Sequence, residues 1–329
     1  MATCSDLLEL KEKKSWSVKD WSRATGVNQR VLENIEQGEP LSDEHMEIIL
    51  QLTKKAKLKK MLNFSSPIVI STGIHKGGAG KTTVTVNMAY ELSVLGYNVL
   101  VIDTDSQMDA TKTLLEPEIL NNNLTWNTYE CITRRESFQK AIISTTYDRL
   151  DIIPADVKLS NIESFMSTMS FKETVFKKCM EEIEKENYYD FVFIDMDKNI
   201  GQLNTAILMA SDYLLMVSEC AMYHLDGIQT MKQQFDLVNE VNSELDILGI
   251  ILNKVNAKKE LAKEVKIIID ELFPKKCFKN FIRNDAVVEK SQWNKVPISV
   301  FKKNTDASRQ LRNIMNEILE RIEKNRKVI

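Results

Sequence analysis

One eight-residue run constrains this chain more than any other feature. Lys76-Gly77-Gly78-Ala79-Gly80-Lys81-Thr82-Thr83 follows an apolar run at 68–72 and opens a helical pattern at 82–95, ended by Gly96. Glycines at that density let consecutive backbone N–H groups turn inward around a phosphate, and the helix that follows adds the positive end of its dipole. Lys81 can then reach the β- and γ-phosphates, and the Thr82 hydroxyl can ligate Mg²⁺. Gly77, Gly78, Ala79, Gly80 and Thr83 supply the rest of the cradle. A flexible glycine turn would not need a strand before it and a helix after it. The run reads as a nucleotide site.

Apolar runs alternate with helical patterns along the rest of the chain. Strands are expected at 67–72, 98–103, 150–154, 191–195, 213–218 and 247–253. The first four are nearly continuous in Val, Ile and Leu, as strands covered on both faces must be, so the sheet should be mostly parallel. A last helix at 305–324 puts Leu311, Ile314, Met315, Ile318, Leu319 and Ile322 on one stripe, which suits docking on a core. The expected fold is a doubly wound, mostly parallel α/β P-loop domain over 64–329, preceded by a small all-α domain over 1–63. A Lys-rich stretch running into Asn63-Phe64-Ser65-Ser66-Pro67 marks the boundary.

Composition narrows the setting. No apolar run approaches the roughly 18 residues of a membrane span, and the N-terminus does not read as a signal peptide. The five cysteines (Cys4, Cys131, Cys179, Cys220, Cys277) are scattered and form no CxxC pair, and the three histidines add little toward a zinc site. A reduced, cytoplasmic location is expected.

The glycine loop carries a second lysine, Lys76, five residues before Lys81, and His75 stands where the general P-loop has its first glycine. In this the chain resembles the ParA/MinD family of deviant Walker ATPases, whose loop reads KGGxGK[ST]. The resemblance runs from about residue 67 to 320 and implies ATP and Mg²⁺ as ligands. It also implies a nucleotide-sandwich homodimer in which Lys76 reaches the partner's phosphates. The strand ending Asp103-Thr104-Asp105-Ser106-Gln107 resembles the family's DxDPQ segment, 24 residues from Lys81 to Asp105, with Ser106 in place of Pro. The match makes Asp105 the carboxylate that orients the attacking water and Asp103 a support of the metal shell. Tyr189-Asp190-Phe191-Val192-Phe193-Ile194-Asp195 resembles a Walker B strand, Asp195 holding Mg²⁺ through water. Where the family has small residues or Pro next, this chain has Met196, Asp197 and Lys198, a charged pair able to ion-pair locally or to meet a partner. Asn253 resembles the family's adenine-contacting Asn, although a strand-end Asn also satisfies its own turn. Residues 293–298 resemble the segment that closes the base pocket.

Residues 17–38 have helix-turn-helix spacing, with Ser22 four residues before Gly26 and Val27, Leu32 and Ile35 as packing positions. The segment resembles the Cro-type repressor motif. Its second helix would offer Asn28, Gln29, Arg30 and Asn34 to DNA, and an ordinary dimer-forming helical hairpin is the other reading. A helix at about 42–62, opened by Ser42, joins it to the rest.

Charge is unevenly spread. Residues 1–63 carry 11 Lys/Arg against 10 Asp/Glu, residues 64–250 carry 14 against 27, and residues 251–329 carry 19 against 10. The basic last quarter, with Lys275 and Lys276, is a candidate polyanion surface. Together these readings point to an ATP-dependent DNA-segregation protein resembling plasmid partition ParAs. It would be nucleoid-associated, bind DNA nonspecifically in its ATP-closed form, and answer to a ParB-type centromere adaptor, with the helix-turn-helix serving operator binding or dimerisation. The alternative is a nucleotide-gated transcription regulator with vestigial hydrolysis. A MinD-like membrane role is disfavoured, because residues 321–329 lack a bulky aromatic anchor.

Overall fold

The computed structural model describes residues 66–121, 124–256 and 261–326, together with Glu33. The expected helix-turn-helix at 17–38, its residues Asn28, Gln29, Arg30 and Asn34, and the helix at 42–62 lie outside the described residues.

Seven strands form one sheet: β1 Ile68–Gly73, β2 Val99–Asp103, β3 Ile143–Ser144, β4 Leu150–Ile153, β5 Phe191–Asp195, β6 Tyr213–Glu219 and β7 Asp246–Asn253. Their order is β3-β4-β2-β5-β1-β6-β7, and all pairings are parallel except β3 with β4. Every residue of β1, β2 and β5 is buried, which is why these strands run unbroken in apolar residues. The helices are α1 Lys81–Val94, α2 Asp109–Leu114, α3 Pro117–Asn121, α4 Thr128–Arg134, α5 Ile162–Ser167 and α6 Val175–Glu186. They continue with α7 Gln202–Met209, α8 Leu225–Asn239, α9 Leu261–Leu272, α10 Ala286–Trp293, α11 Ile298–Phe301 and α12 Asp306–Arg326.

α1 is enclosed on nearly all sides. Besides Val84, Val86, Met88, Ala89 and Leu92 it buries Thr85, Asn87 and Glu91, each of which has a partner. The Asn87 amide oxygen accepts from Ile298 N at 2.8 Å, Asn87 Nδ2 donates to Thr83 O at 2.7 Å, and Ser299 donates to Glu91. Buried polar groups without such partners would each cost about 1–3 kcal/mol. The stripe of α12 settles as expected. Leu311, Ile314, Met315, Ile318 and Ile322 are buried, Leu319 is half-buried, and the helix packs on α1 and β7.

The pairing of β6 with β7 is irregular at one point. The β6–β7 register runs Leu214 to Ile247 and then Leu215 to Gly249, so Leu248 is an extra residue, a bulge. Its carbonyl is taken by Arg321 of α12 at 3.0 Å.

The parallel register brings the C-terminal ends of five strands to one edge. Asp103 pairs with Asp195, Thr72 with Asp195, Gly73 with Met216, and Glu219 with Asn253. β1 lies between β5 and β6, where the sheet's winding reverses, and ligands bind at this edge in open α/β sheets.

Candidate nucleotide site

The loop between β1 and α1 is shaped by its glycines. Gly80 caps α1 with φ 93°, a left-handed conformation, and a Cβ there would collide with the Asn253 amide. Val84 N closes the first helical turn on Gly80 O at 3.0 Å. Lys81, 8% exposed, turns its ammonium back onto Lys76 O at 3.3 Å. Burial lowers its proton affinity, while the nearby Asp195, Asp105 and Asp197 raise it.

Beneath the loop stands Asp195, the last residue of β5. Thr82 Oγ1 donates to its Oδ2 at 2.7 Å and Thr85 Oγ1 to its Oδ1 at 3.3 Å. Burial and the adjacent Asp103 hold this carboxyl well above the usual carboxylate range. An oxygen pair of this kind, a hydroxyl and one carboxylate, suits a hard cation that keeps waters and phosphate oxygens as its other ligands.

Asp103 is fully buried and does not reach the cavity wall. Its Oδ2 accepts from Thr111 N at 2.8 Å and Thr111 Oγ1 at 2.7 Å, and its Oδ1 accepts from Asp105 N at 3.1 Å. Burial pushes it up to about 6 against these hydrogen bonds. Where the family match suggested a metal-shell support, the structure shows a residue whose oxygens anchor the loop 104–110 to α2. Asp105 itself is on the wall, its Oδ1 accepting from Gln107 N at 2.9 Å.

The cavity over the loop has a volume of about 780 Å³, ample for a nucleotide. Gly77, Gly78, Gly80, Lys81, Thr82 and Thr83 form its floor, and Asp105, Ser106 and Gln107 one wall. Asp197, Lys198 and Asn199 form another wall. The far end is closed by Asn253, Lys254, Arg283 and the α10 residues Val288, Glu289 and Gln292. Ala79, fully buried, stays behind the floor.

Asn253 is on the wall with both polar ends engaged. Its Nδ2 donates to Ala79 O at 2.8 Å, and its Oδ1 accepts from Lys254 N at 2.8 Å. Residues 293–298 do not close the cavity. Trp293 is 88% exposed, and the closing side chains come from the preceding turns of α10, where Gln292 donates to Thr83 Oγ1 at 2.6 Å. Asp197 and Lys198 form no ion pair with each other. Lys76 sits off the cavity wall, its ammonium 5.8 Å from the Tyr223 ring centroid.

Lys275 and Lys276 are at the opposite end of the sheet, beside a basin of about 750 Å³. Lys276 ion-pairs with Asp246, the first residue of β7, at 2.9 Å. Glu317 accepts from Lys279 N at 3.0 Å, and Arg321 ion-pairs with it at 2.9 Å. Sequence reasoning counted Lys254 and Arg283 only within the basic last quarter and did not place them, Thr111 or residues 288–292 of α10 at this site, since none stands at a spacing that marks it.

Comparison with known proteins agrees with this geometry. The sequence profile of the AAA domain matches residues 68–247. The chain is 29% identical to the sporulation initiation inhibitor protein Soj of Bacillus subtilis over 234 residues, 71% of this chain and 90% of that protein. It is 27% identical to the chromosome partitioning protein ParA of Myxococcus xanthus over 235 residues, 71% of this chain and 81% of that one. A plasmid partition protein of Borrelia burgdorferi, solved bound to AMPPNP, superposes with a TM-score of 0.67 at 24% identity, covering 77% of this chain and 99% of that chain.

Proposed function

The chain belongs to the AAA-domain family as a ParA/MinD-type P-loop ATPase, and on that footing we propose that it is an ATP-dependent DNA-segregation protein. Two protomers close around ATP and Mg²⁺, the dimer binds duplex DNA without sequence preference, and a ParB-type adaptor on a centromere stimulates hydrolysis and release. The observation that carries the reading is one cavity that joins a glycine cradle, the nearly buried Lys81 and the wall carboxylate Asp105.

The residues present fit both ligands. The loop's N–H groups and Lys81 would hold the β- and γ-phosphates, and Thr82 with Asp195 would hold Mg²⁺. The metal supplies charge neutralisation between the two phosphates. Asp105 orients the attacking water from the wall, and Asp103 holds the Asp105 backbone in place. Lys76, off its own cavity wall and beside Tyr223, would reach a partner's phosphates. Lys275 and the rest of the basic quarter would meet DNA, with Lys276 contributing less because Asp246 already holds it.

Replacing Asp105 with Ala tests the chemistry. ATP turnover should fall about 100-fold while ATP affinity stays within about threefold, since the cradle is untouched. Parent-like turnover in that variant would remove Asp105 from its role. The DNA part is tested by the affinity for random duplex DNA against salt, which should require ATP and fall steeply as salt rises. A protein that protects one sequence and turns over no ATP with DNA present would instead be a nucleotide-gated transcription regulator.

A further inference from the structure

The turn after β5 is fastened at three points. The Asp197 carboxylate accepts from Asn199 N at 2.9 Å, Asn199 Nδ2 at 2.5 Å and Asn204 Nδ2 at 3.2 Å, so it is spent on its own turn. Asn204 Nδ2 also meets Asn199 O at 2.5 Å. The Lys198 carbonyl faces His75 Nδ1 at 3.4 Å, and His75 Nε2 lies 2.7 Å from Gln234 Oε1 of α8. Gln234 in turn donates to Thr205 Oγ1 of α7 at 3.1 Å. The backbone of Lys198 is thereby held beside the glycine loop.

Its side chain runs over that loop. A Cβ on Gly77 would lie 3.7 Å from Lys198 Cδ, ordinary van der Waals contact. Lys198 lines the same cavity as Gly78, Lys81 and Asp105. Its ammonium has no hydrogen bond or ion pair with any described residue, whereas Lys81 is held by Lys76 O and Lys76 stands over Tyr223. Of the two lysines that the glycine loop and the turn after β5 place on the cavity wall, Lys81 and Lys198, only Lys198 has no hydrogen bond or ion pair among the described residues.

We propose that Lys198 is a phosphate-contacting lysine that acts in cis, reaching across Gly77 to the terminal phosphate of the nucleotide in its own protomer. It adds a second positive charge beside Lys81 before any partner subunit delivers Lys76. Negative charge on the terminal phosphoryl oxygens is what such sites must offset, and a held cation offsets it without reorganisation. The inference rests on reading the cavity as an ATP site.

The test uses the full chain, at a concentration where light scattering shows monomers, with fluorescent ADP and a slowly hydrolysed fluorescent ATP analogue as probes. Lys198→Met should reduce the preference for the ATP analogue over ADP by about tenfold, and Lys198→Arg should restore most of it. An unchanged preference in Lys198→Met overturns the phosphate contact. Turnover is then measured on mixtures of Lys198→Met with Asp105→Ala, whose own turnover serves as the control. No recovery beyond the sum of the separate proteins supports action in cis. Recovery means that an intact Lys198 serves its partner, and the cis assignment falls. If the parent neither prefers the ATP analogue nor hydrolyses ATP, the reading of the cavity has failed and the lysine's role fails with it. If the parent does both and Lys198→Met matches it, only the lysine's role has failed.

Discussion

The two ends of the sheet carry cavities of nearly equal size, about 780 Å³ at the strand C-termini and about 750 Å³ at the N-termini, and both are rich in charge. They differ in how that charge is used. At the basin, Arg321 gives both hydrogens of Nη1 to Leu248 O and Lys276 O and both of Nη2 to Cys277 O and Glu317, while Lys276 is held by Asp246. Those groups staple α12 to the sheet. At the other end the glycine loop lines the open cavity and the Lys198 ammonium has no hydrogen bond or ion pair among the described residues. The buried acids of the two ends also shift in opposite directions. Asp195 and Asp103 are held up, mainly by desolvation. Burial pushes Glu317 up too, but four hydrogen bonds from Lys279, Asn280 and Arg321 outweigh it and hold that carboxyl low. Volume and charge alone therefore do not identify a site; unspent hydrogen-bonding capacity does.

Replacing Lys81 with Ala should break the comparison hardest. Nucleotide affinity should fall by about a thousandfold or more, near 4 kcal/mol, with little change in stability. Calorimetric titration checks this, and retained affinity would mean that the loop amides alone do the binding. Next in size is Arg321→Ala. It takes one partner from each of Leu248 O, Lys276 O, Cys277 O and the Glu317 carboxylate and should cost about 3 kcal/mol in urea denaturation while leaving nucleotide affinity unchanged. If affinity fell with stability, the two ends would be coupled.

A smaller effect depends on pH. Because the folded pKa of Glu317 lies below its unfolded value, the stability it contributes is present above the ordinary carboxylate range. It is lost as pH falls through the folded value. Glu317→Gln should therefore destabilise more near pH 7 than near pH 3, by paired denaturation curves. A gap that widened in acid would reverse the assigned direction. The smallest effect belongs to Lys276→Ala. Its ion pair with Asp246 is partly exposed and should be worth no more than about 0.5 kcal/mol. DNA affinity should drop less in that variant than in Lys275→Glu, and equal losses would return Lys276 to the contact surface.

The same contrast separates what the sequence revealed from what it concealed. The loop 76–83 was readable because its glycines and lysines do their work at fixed short spacing, and the six parallel strands were readable because full burial demands continuous apolar residues. Each lies within one residue of its expected bounds. β3 was not readable, since two residues with one side chain exposed leave no pattern. Asp103 looked like a metal-shell residue because its partner Thr111 stands eight positions on, with nothing local to announce it. Of the two lysines beside the loop, only the tertiary fold decides that Lys198 faces the cavity and Lys76 faces Tyr223. Lys276 read as a surface cation because the acid that holds it is 30 residues upstream.

The bulge at Leu248 has a consequence for how this chain can change over time. The extra residue frees a carbonyl that Arg321 takes, and Gly249, at φ 154°, has room for that guanidinium only because it lacks a side chain. A Cβ on Gly249 would overlap Arg321, Lys276 O at 2.5 Å and the Phe278 ring at 2.6 Å. The bulge carbonyl and the glycine serve the arginine, so the three should tend to be inherited as a set. Lineages that lost the arginine would still be held to the glycine by Lys276 O and the Phe278 ring, while the extra residue would lose the partner of its carbonyl.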